Sequence, residues 1–415
     1  MATGSDTPKS SDGISIELWF REDKSDEWSD TLLQTLTNII QTEPIEDLDS
    51  IGLRLTSKYN TSTKAFDTNW IAPLGPNVNG FENDIKDYLD ENKQVAVLSS
   101  GTSAIHLALE LLGVSHGDEV LCQSFTFSAS ANPIIYQGAT PIFIDSETDT
   151  WNMCPELLEI AIKDRIEKNK KPKAIIAVHL YGMPYKADEI QQIADSFGIP
   201  IVEDSAEALG SSHKGKMCST LGNIGILSFN GNKIITTSGG GALVAKSKEL
   251  KERAVYLATQ ARDDAPHYQH SVVGYNYRMS NVVAGIGRGQ MEVLQNRVAA
   301  RRKNYEYYYN ALKDCKGIEF LNEPEGFYSN RWLSCVLTPS FEMREKIRLE
   351  LEKFNIESRP LWKPMHMQPV FKRFPSFSDG TSEDLFQRGL CLPSGSNLTF
   401  DDLDRIIDII KPQVL

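Results

Sequence analysis

Between residues 94 and 246 the chain alternates short apolar runs with longer stretches of helical period. The runs are QVAVLSS, DEVLCQSF, TPIFIDS, KAIIAVHLYG, IPIVEDS, GILSFNG and GALVAK. Strands that are apolar at consecutive rather than alternate positions are buried on both faces, as parallel sheets require. Segments such as SAIHLALELL between them are long enough for crossover helices. The pattern predicts an α/β fold with a mostly parallel, seven-stranded sheet. After about residue 295 the rhythm changes. A charged helix over residues 298–313, rich in Arg, Lys and Tyr, leads into shorter segments such as IEFL and RWLSCVLT, which predict a smaller α+β domain. No internal repeat or long linker separates the two, so the active site is expected near their interface.

The first 60 residues read differently. Residues 1–13 are rich in Ser, Thr, Asp and Gly and predict a disordered lead, after which ISIELWF alternates like a strand. A helix capped by Ser29 or Asp30 follows, with Leu32, Leu33, Leu36, Ile39 and Ile40 on one face. The expected division is therefore an atypical extension over 1–60, a large domain over 61–295 and a small domain over 296–415.

Composition narrows the classes. A chain of 415 residues with 40% hydrophobic content can bury one large and one small core, and a net charge of −13 argues against a general nucleic-acid binder. No apolar run of signal-peptide or membrane-spanning length is present. The six cysteines lack CxxC spacing and the seven histidines lack HxxxH spacing, so no metal site is expected and a reducing, cytoplasmic setting is.

The candidate chemistry gathers at run ends. Lys233 follows the run over residues 225–231 and precedes TTSGGG, so a loop delivers it to the end of a core strand, a place for a chemical group. Asp204 closes the earlier run IPIVEDS; a carboxylate there would keep a pyridine nitrogen protonated, or cap the next turn. Glu207 lies three residues on, as a solvated neighbour or one beside a ring hydroxyl. In SSGTSAIHLALELL, Thr102 and Ser103 stand at a helix start whose free N–H groups form an anion cup, although Ser and Thr also cap helices without any ligand. Phe127, after DEVLCQSF, can lie against a ring or simply belong to the core, and Ser228 can add a hydroxyl to the cup. Together they point to pyridoxal phosphate (PLP).

The segments SFNGNKIITTSGGGALV, EDSAEALGS, SSGTSAIHLALELL and GYNYRMSN resemble the sugar aminotransferases of the DegT/DnrJ/EryC1/StrS family. NWIAPLGPNVN, CQSFTFSASANPI, FIDSETDTWNM, NRWLS, RPLWKPMH and CLPSGSN resemble those members that act on UDP-linked 4-keto-6-deoxy sugars. The likeness runs from about Phe66 to the C-terminus. It implies a fold-type I aminotransferase in which Lys233 is the aldehyde anchor and proton shuttle and Asp204 the ring-nitrogen partner. Glu207 would sit beside the ring's 3-hydroxyl, Phe127 would stack on the ring, and Thr102, Ser103 and Ser228 would contact the phosphate. Asn276 would reach the phosphate of a neighbouring subunit, which implies a homodimer with shared sites. Arg331, Trp332, Arg359, Lys363 and His366 fall in C-terminal motifs and are substrate candidates, each with an alternative as ion pair, packing or loop residue. The implied reaction moves an amino group from L-glutamate to a nucleotide-linked 4-keto sugar, in polysaccharide precursor synthesis, with no nucleic-acid or membrane partner. Residues 1–60 depart from the family and faintly resemble the closing segment of a nonribosomal-peptide condensation domain. That departure leaves open a catalytically impaired scaffold or a regulatory protein on the same fold.

Overall fold

The computed structural model describes Ala65 and residues 70–414, all within one compact unit. The expected disordered lead, the strand over 14–20, the following helix and the segment 66–69 lie outside the described residues.

Each of the seven apolar runs forms a strand. In chain order the first five are β1 (Gln94–Leu98), β2 (Glu119–Gln123), β3 (Thr140–Ile144), β4 (Ala174–Val178) and β5 (Ile201–Asp204). Two short strands, β6 (Ser212–His213) and β7 (Lys216–Met217), stand apart, and β8 (Ile224–Ser228) and β9 (Gly241–Ala245) complete the set. Beyond residue 300 come β10 (Glu319–Phe320), β11 (Phe327–Tyr328), β12 (Ser334–Leu337), β13 (Arg359–Pro360), β14 (Ser376–Phe377) and β15 (Gly389–Leu392).

The main sheet has eight strands, not the expected seven, in the order β1-β9-β8-β5-β4-β2-β3-β14. The extra one is β14, which runs parallel to β3 at the edge. Two residues of polar–aromatic sequence carry no periodic signal, and only the path of the chain returning from the small sheet brings them there. Five of the seven pairings are parallel, and β9 alone runs antiparallel, to β1 and β8.

Side-chain alternation sends each strand's residues to two cores. Val95, Val97, Leu227 and Val244 face one way, beneath the helices α1 (Pro76–Leu89) and Asn281–Glu292; Leu98, Ile226 and Leu243 face the other, with helix α2 (Gly101–Leu111). Burying each such Val, Leu or Ile contributes about 1.5–3 kcal/mol. The small sheet, β10-β12-β15-β13, is covered by Leu294–Leu312, Phe341–Lys353 and Phe400–Val414. A last apolar cluster joins Phe125, Tyr181 and Met183 at the main sheet to Trp332, Leu337 and Leu361 at the small one.

Candidate active site

The parallel strands deliver their carboxyl ends to one edge, where open α/β sheets bind ligands. Register makes the convergence explicit. Val178 on β4 and Ile226 on β8 are both level with Asp204, and Leu98 and Ser228 are both level with Gly241. The loops after β1, β2, β4, β5 and β8 therefore share one rim.

The cup is built at the start of α2. Ser100 is its N-cap: the Ser100 hydroxyl accepts from the Ser103 N–H at 3.0 Å, and Ser103 Oγ accepts in return from the Ser100 N–H at 3.0 Å. A Cβ on Gly241 would lie 2.4 Å from the Ser100 backbone, so only glycine lets the helix start descend onto β9. The Ser103 hydroxyl is thus committed to the cap and also donates to the Ser100 carbonyl at 2.8 Å. The hydroxyls of Thr102 and Ser228 have no hydrogen-bond partner among the described residues, and Ser228 sits 3.1 Å from where a Gly101 Cβ would be. Two uncommitted hydroxyls at a helix N-terminus suit a phosphate.

Asp204 ends β5 buried. Its Oδ2 accepts from the Ser130 hydroxyl at 2.6 Å and its Oδ1 from the Ala206 N–H at 3.1 Å, so the carboxylate is held in one orientation. Beneath it, Glu203 accepts from the N–H groups of Ser219, Leu221 and Gly222 at 2.6–2.8 Å and from His179 Nε2 at 2.7 Å. His179 Nδ1 accepts from the Tyr185 N–H at 3.1 Å, which places the ring proton on Nε2. With Cys218 these residues have the spacing of a metal site, but both nitrogens of His179 and both oxygens of Glu203 are already engaged, and the two fix the end of β5.

Glu207 is buried, and its Oε2 accepts from the Tyr181 N–H at 2.7 Å. Tyr181 adopts a left-handed backbone (φ 56°), a strained conformation held where its amide is used. Burial pushes the Glu207 carboxyl above its ordinary value, with the positive charge of Lys233 the main opposing influence. Lys233 Nζ lies 3.4 Å from Glu207 Oε1 and 4.2 Å from the centre of the Trp332 ring, with 12% of the side chain exposed. Phe127 is 52% exposed and meets Trp362 at 5.7 Å; Trp362 in turn stacks on Tyr181 at 5.9 Å.

Lys233 therefore meets both Glu207 and Trp332, with Asp204, Phe127, Thr102 and Ser228 around the same rim. Asn276 is exposed beside the start of the cup, since the Ser99 N–H donates to the Tyr277 carbonyl at 2.7 Å. Three of the C-terminal candidates are engaged elsewhere. Arg331 lies buried 3.6 Å from the Tyr305 ring and donates to the Leu321 carbonyl at 2.6 Å. Arg359 pairs with Glu357 at 2.5 Å, and His366 bridges Ser124 at 2.6 Å and Glu383 at 3.1 Å. The Lys363 ammonium has no ion-pair partner among the described residues, and it adjoins Trp362 at the mouth. Ser130, Tyr181 and Trp362 were not anticipated. Each carries the ordinary signature of a turn or core residue, and only its contact shows its part.

The residues present fit PLP: an amine beside a carboxylate, a fixed carboxylate at a strand end, an exposed aromatic face and an open anion cup. Fold and site together define a fold-type I, PLP-dependent aminotransferase. The chain belongs to the DegT/DnrJ/EryC1/StrS aminotransferase family, whose profile matches residues 56–411. It is 52% identical over 352 residues to EpsN of Bacillus subtilis (strain 168), named for PLP-dependent aminotransferase activity, covering 84% of this chain and 90% of that one. It is 36% identical to the GDP-perosamine synthase of Escherichia coli O157:H7, over 84% of this chain and 93% of the relative. A crystal structure of a family aminotransferase from Brucella abortus superposes with a TM-score of 0.82 at 29% identity, covering 89% of this chain and 98% of the other. Among the described residues no helix is long and apolar enough to cross a membrane.

Proposed function

We propose that this chain transfers an amino group from L-glutamate to C4 of a UDP-linked 4-keto-6-deoxy sugar, N-acetylated at C2, in the synthesis of a polysaccharide precursor. The observation that carries the reading is the meeting of Lys233 with Glu207 and Trp332 on the rim that Asp204 closes. The nucleotide-sugar class is supported by likeness to relatives named GDP-perosamine synthase and UDP-2-acetamido-2-deoxy-3-oxo-D-glucuronate aminotransferase.

Bound PLP supplies an aldehyde that takes up the amino group and a ring that delocalises electrons. Asp204 would hold the proton on the ring nitrogen, because a fixed carboxylate favours the charged form. Thr102, Ser228 and the free N–H groups at the start of α2 would hold the phosphate, and Phe127 would lie against the ring. The Lys233 amine would move a proton at the amino-bearing carbon of the donor and return one at the sugar carbon, which makes ping-pong kinetics the expected pattern. Lys363 faces the nucleotide diphosphate at the mouth. A homodimer with shared sites, in which Asn276 reaches the neighbour's phosphate, and a cytoplasmic location complete the reading; the six cysteines are free thiols, which suits that compartment.

The test is the absorbance spectrum of the protein with PLP, before and after L-glutamate, beside Lys233→Ala. A PLP band that glutamate converts to the pyridoxamine form, absent in the variant, leads on to turnover of UDP- against GDP-linked 4-keto sugars. A band indifferent to glutamate and retained in Lys233→Ala would overturn the Lys233 mechanism.

A further inference from the structure

Trp332 is buried, at 1% exposure, and its polar groups are all engaged within the protein: its carbonyl accepts from Arg301, and its indole is tied to the lysine loop. Its indole N–H donates to the Asn232 carbonyl, next to the lysine, at 2.8 Å. Its backbone N–H donates to Asn330 Oδ1 at 2.8 Å, and Asn330 Nδ2 donates to the carbonyls of Glu207 at 2.9 Å and Leu209 at 2.8 Å. The circuit closes through space, because Lys233 Nζ lies over the Trp332 ring at 4.2 Å and beside Glu207 Oε1 at 3.4 Å. A Cβ on Gly182 would stand 1.9 Å from Asn330 Oδ1, so the glycine leaves the space this hub occupies.

We propose that Trp332 is a positioning residue for Lys233, its ring face forming a resting place for the amine when it is not bonded to the cofactor aldehyde. The inference rests on the PLP reading given above. The physical case turns on what a shuttling lysine needs. A second carboxylate in place of the ring would bind the ammonium strongly and keep it protonated, which would slow its return as a nucleophile. A π face attracts the charged amine by its quadrupole, yet imposes no fixed hydrogen-bond direction and holds the neutral amine weakly. Among the described residues Glu207 is the one ion-pair partner of Lys233, at the long end of hydrogen-bond range, which leaves the ring face a part in the hold. Trp332 therefore acts through its ring face on Lys233, without contact with the sugar, while the indole N–H bond to Asn232 holds the ring in place.

The experiment measures bond formation between PLP and Lys233 in the full-length protein stripped of cofactor. Protein and PLP are mixed and sampled into borohydride, which delivers hydride to the carbon–nitrogen double bond formed with loss of water, and the Lys233 peptide is quantified by mass spectrometry. Trp332→Leu is expected to slow labelling of Lys233 about tenfold or more, and Trp332→Phe, which keeps a ring face but not the N–H, to stay within about threefold of the parent chain. Trp332→Met serves as a second ringless variant of larger volume should the leucine variant fail to fold, with circular dichroism as the check. Labelling at the parent rate in a folded ringless variant overturns the proposal. So does a Phe variant as slow as the ringless ones, because that outcome assigns the effect to the indole N–H or to packing. If the parent chain itself is not labelled at Lys233, the PLP reading falls, and that result is distinct from either of the others.

Discussion

Asp204 and Glu207 stand three residues apart, and their surroundings ask different things of them. The Asp204 carboxylate is oriented by Ser130 and Ala206 and remains available at the strand end. Asp204→Asn keeps the shape and removes the charge, so it should lower kcat roughly 100-fold or more, about 2.7 kcal/mol of barrier, with an unchanged fold; steady-state kinetics beside circular dichroism is the check. The Glu207 carboxyl is pushed upward by burial. A carboxyl whose folded value lies above its unfolded one contributes stability that is fully present below the unfolded value and is lost as pH rises through the folded value. Glu207→Gln does not titrate. Its melting temperature relative to the parent chain should therefore climb as pH rises above the ordinary carboxyl value of 4.5 in cofactor-free protein, and a difference that stays flat as pH rises would contradict the burial argument.

At the scale of elements, the start of α2 separates two jobs that look alike in the sequence. Ser103 closes the capping box, while Thr102 and Ser228 carry free hydroxyls. Ser103→Ala should cost about 1 kcal/mol of stability and leave PLP affinity nearly unchanged. Ser228→Ala or Thr102→Ala should weaken PLP binding roughly five- to thirtyfold, about 1–2 kcal/mol, at nearly constant stability. Titrating PLP and melting each variant reads both quantities, and a Ser103 variant that loses affinity as its neighbours do would merge the roles. The same scale shows where sequence patterning reaches its limit. Seven apolar runs announced themselves because four or five consecutive buried residues leave a strong signal, and the charged helix was legible too, although it begins at Leu294, four residues before the predicted start. Two-residue strands such as β14 and β13 have no such signal and exist only because a neighbouring strand is in reach.

For the whole molecule, the main sheet, the small sheet and the aromatic cluster between them place a lysine from one part under an indole from the other. The proposed dimer extends this logic across subunits. If Asn276 serves the neighbour's site, Asn276→Asp and Lys233→Ala should each be nearly inactive alone, and refolding them together should restore about one quarter of parent activity, since half of the dimers are mixed and each has one complete site. No recovery in the mixture, with mixed dimers verified by mass, would mean that each subunit's site is self-contained.

The sequence by itself determined the α/β class, the places of the seven long strands along the chain and the candidacy of Lys233 and Asp204, because burial on both faces of a strand and a polar residue at its end are local patterns. The family resemblance rested on local patterns as well. Only the tertiary structure decided which side chains do the holding: that Ser103 is spent on the cap, that Arg331, Arg359 and His366 are engaged away from the lysine, and that Ser130 and Tyr181 orient the two carboxylates. Asn232 and Trp332 are 100 positions apart, and no periodicity spans that distance. A contact of that kind is set by how the sheets pack, and so it becomes visible only once the chain is folded.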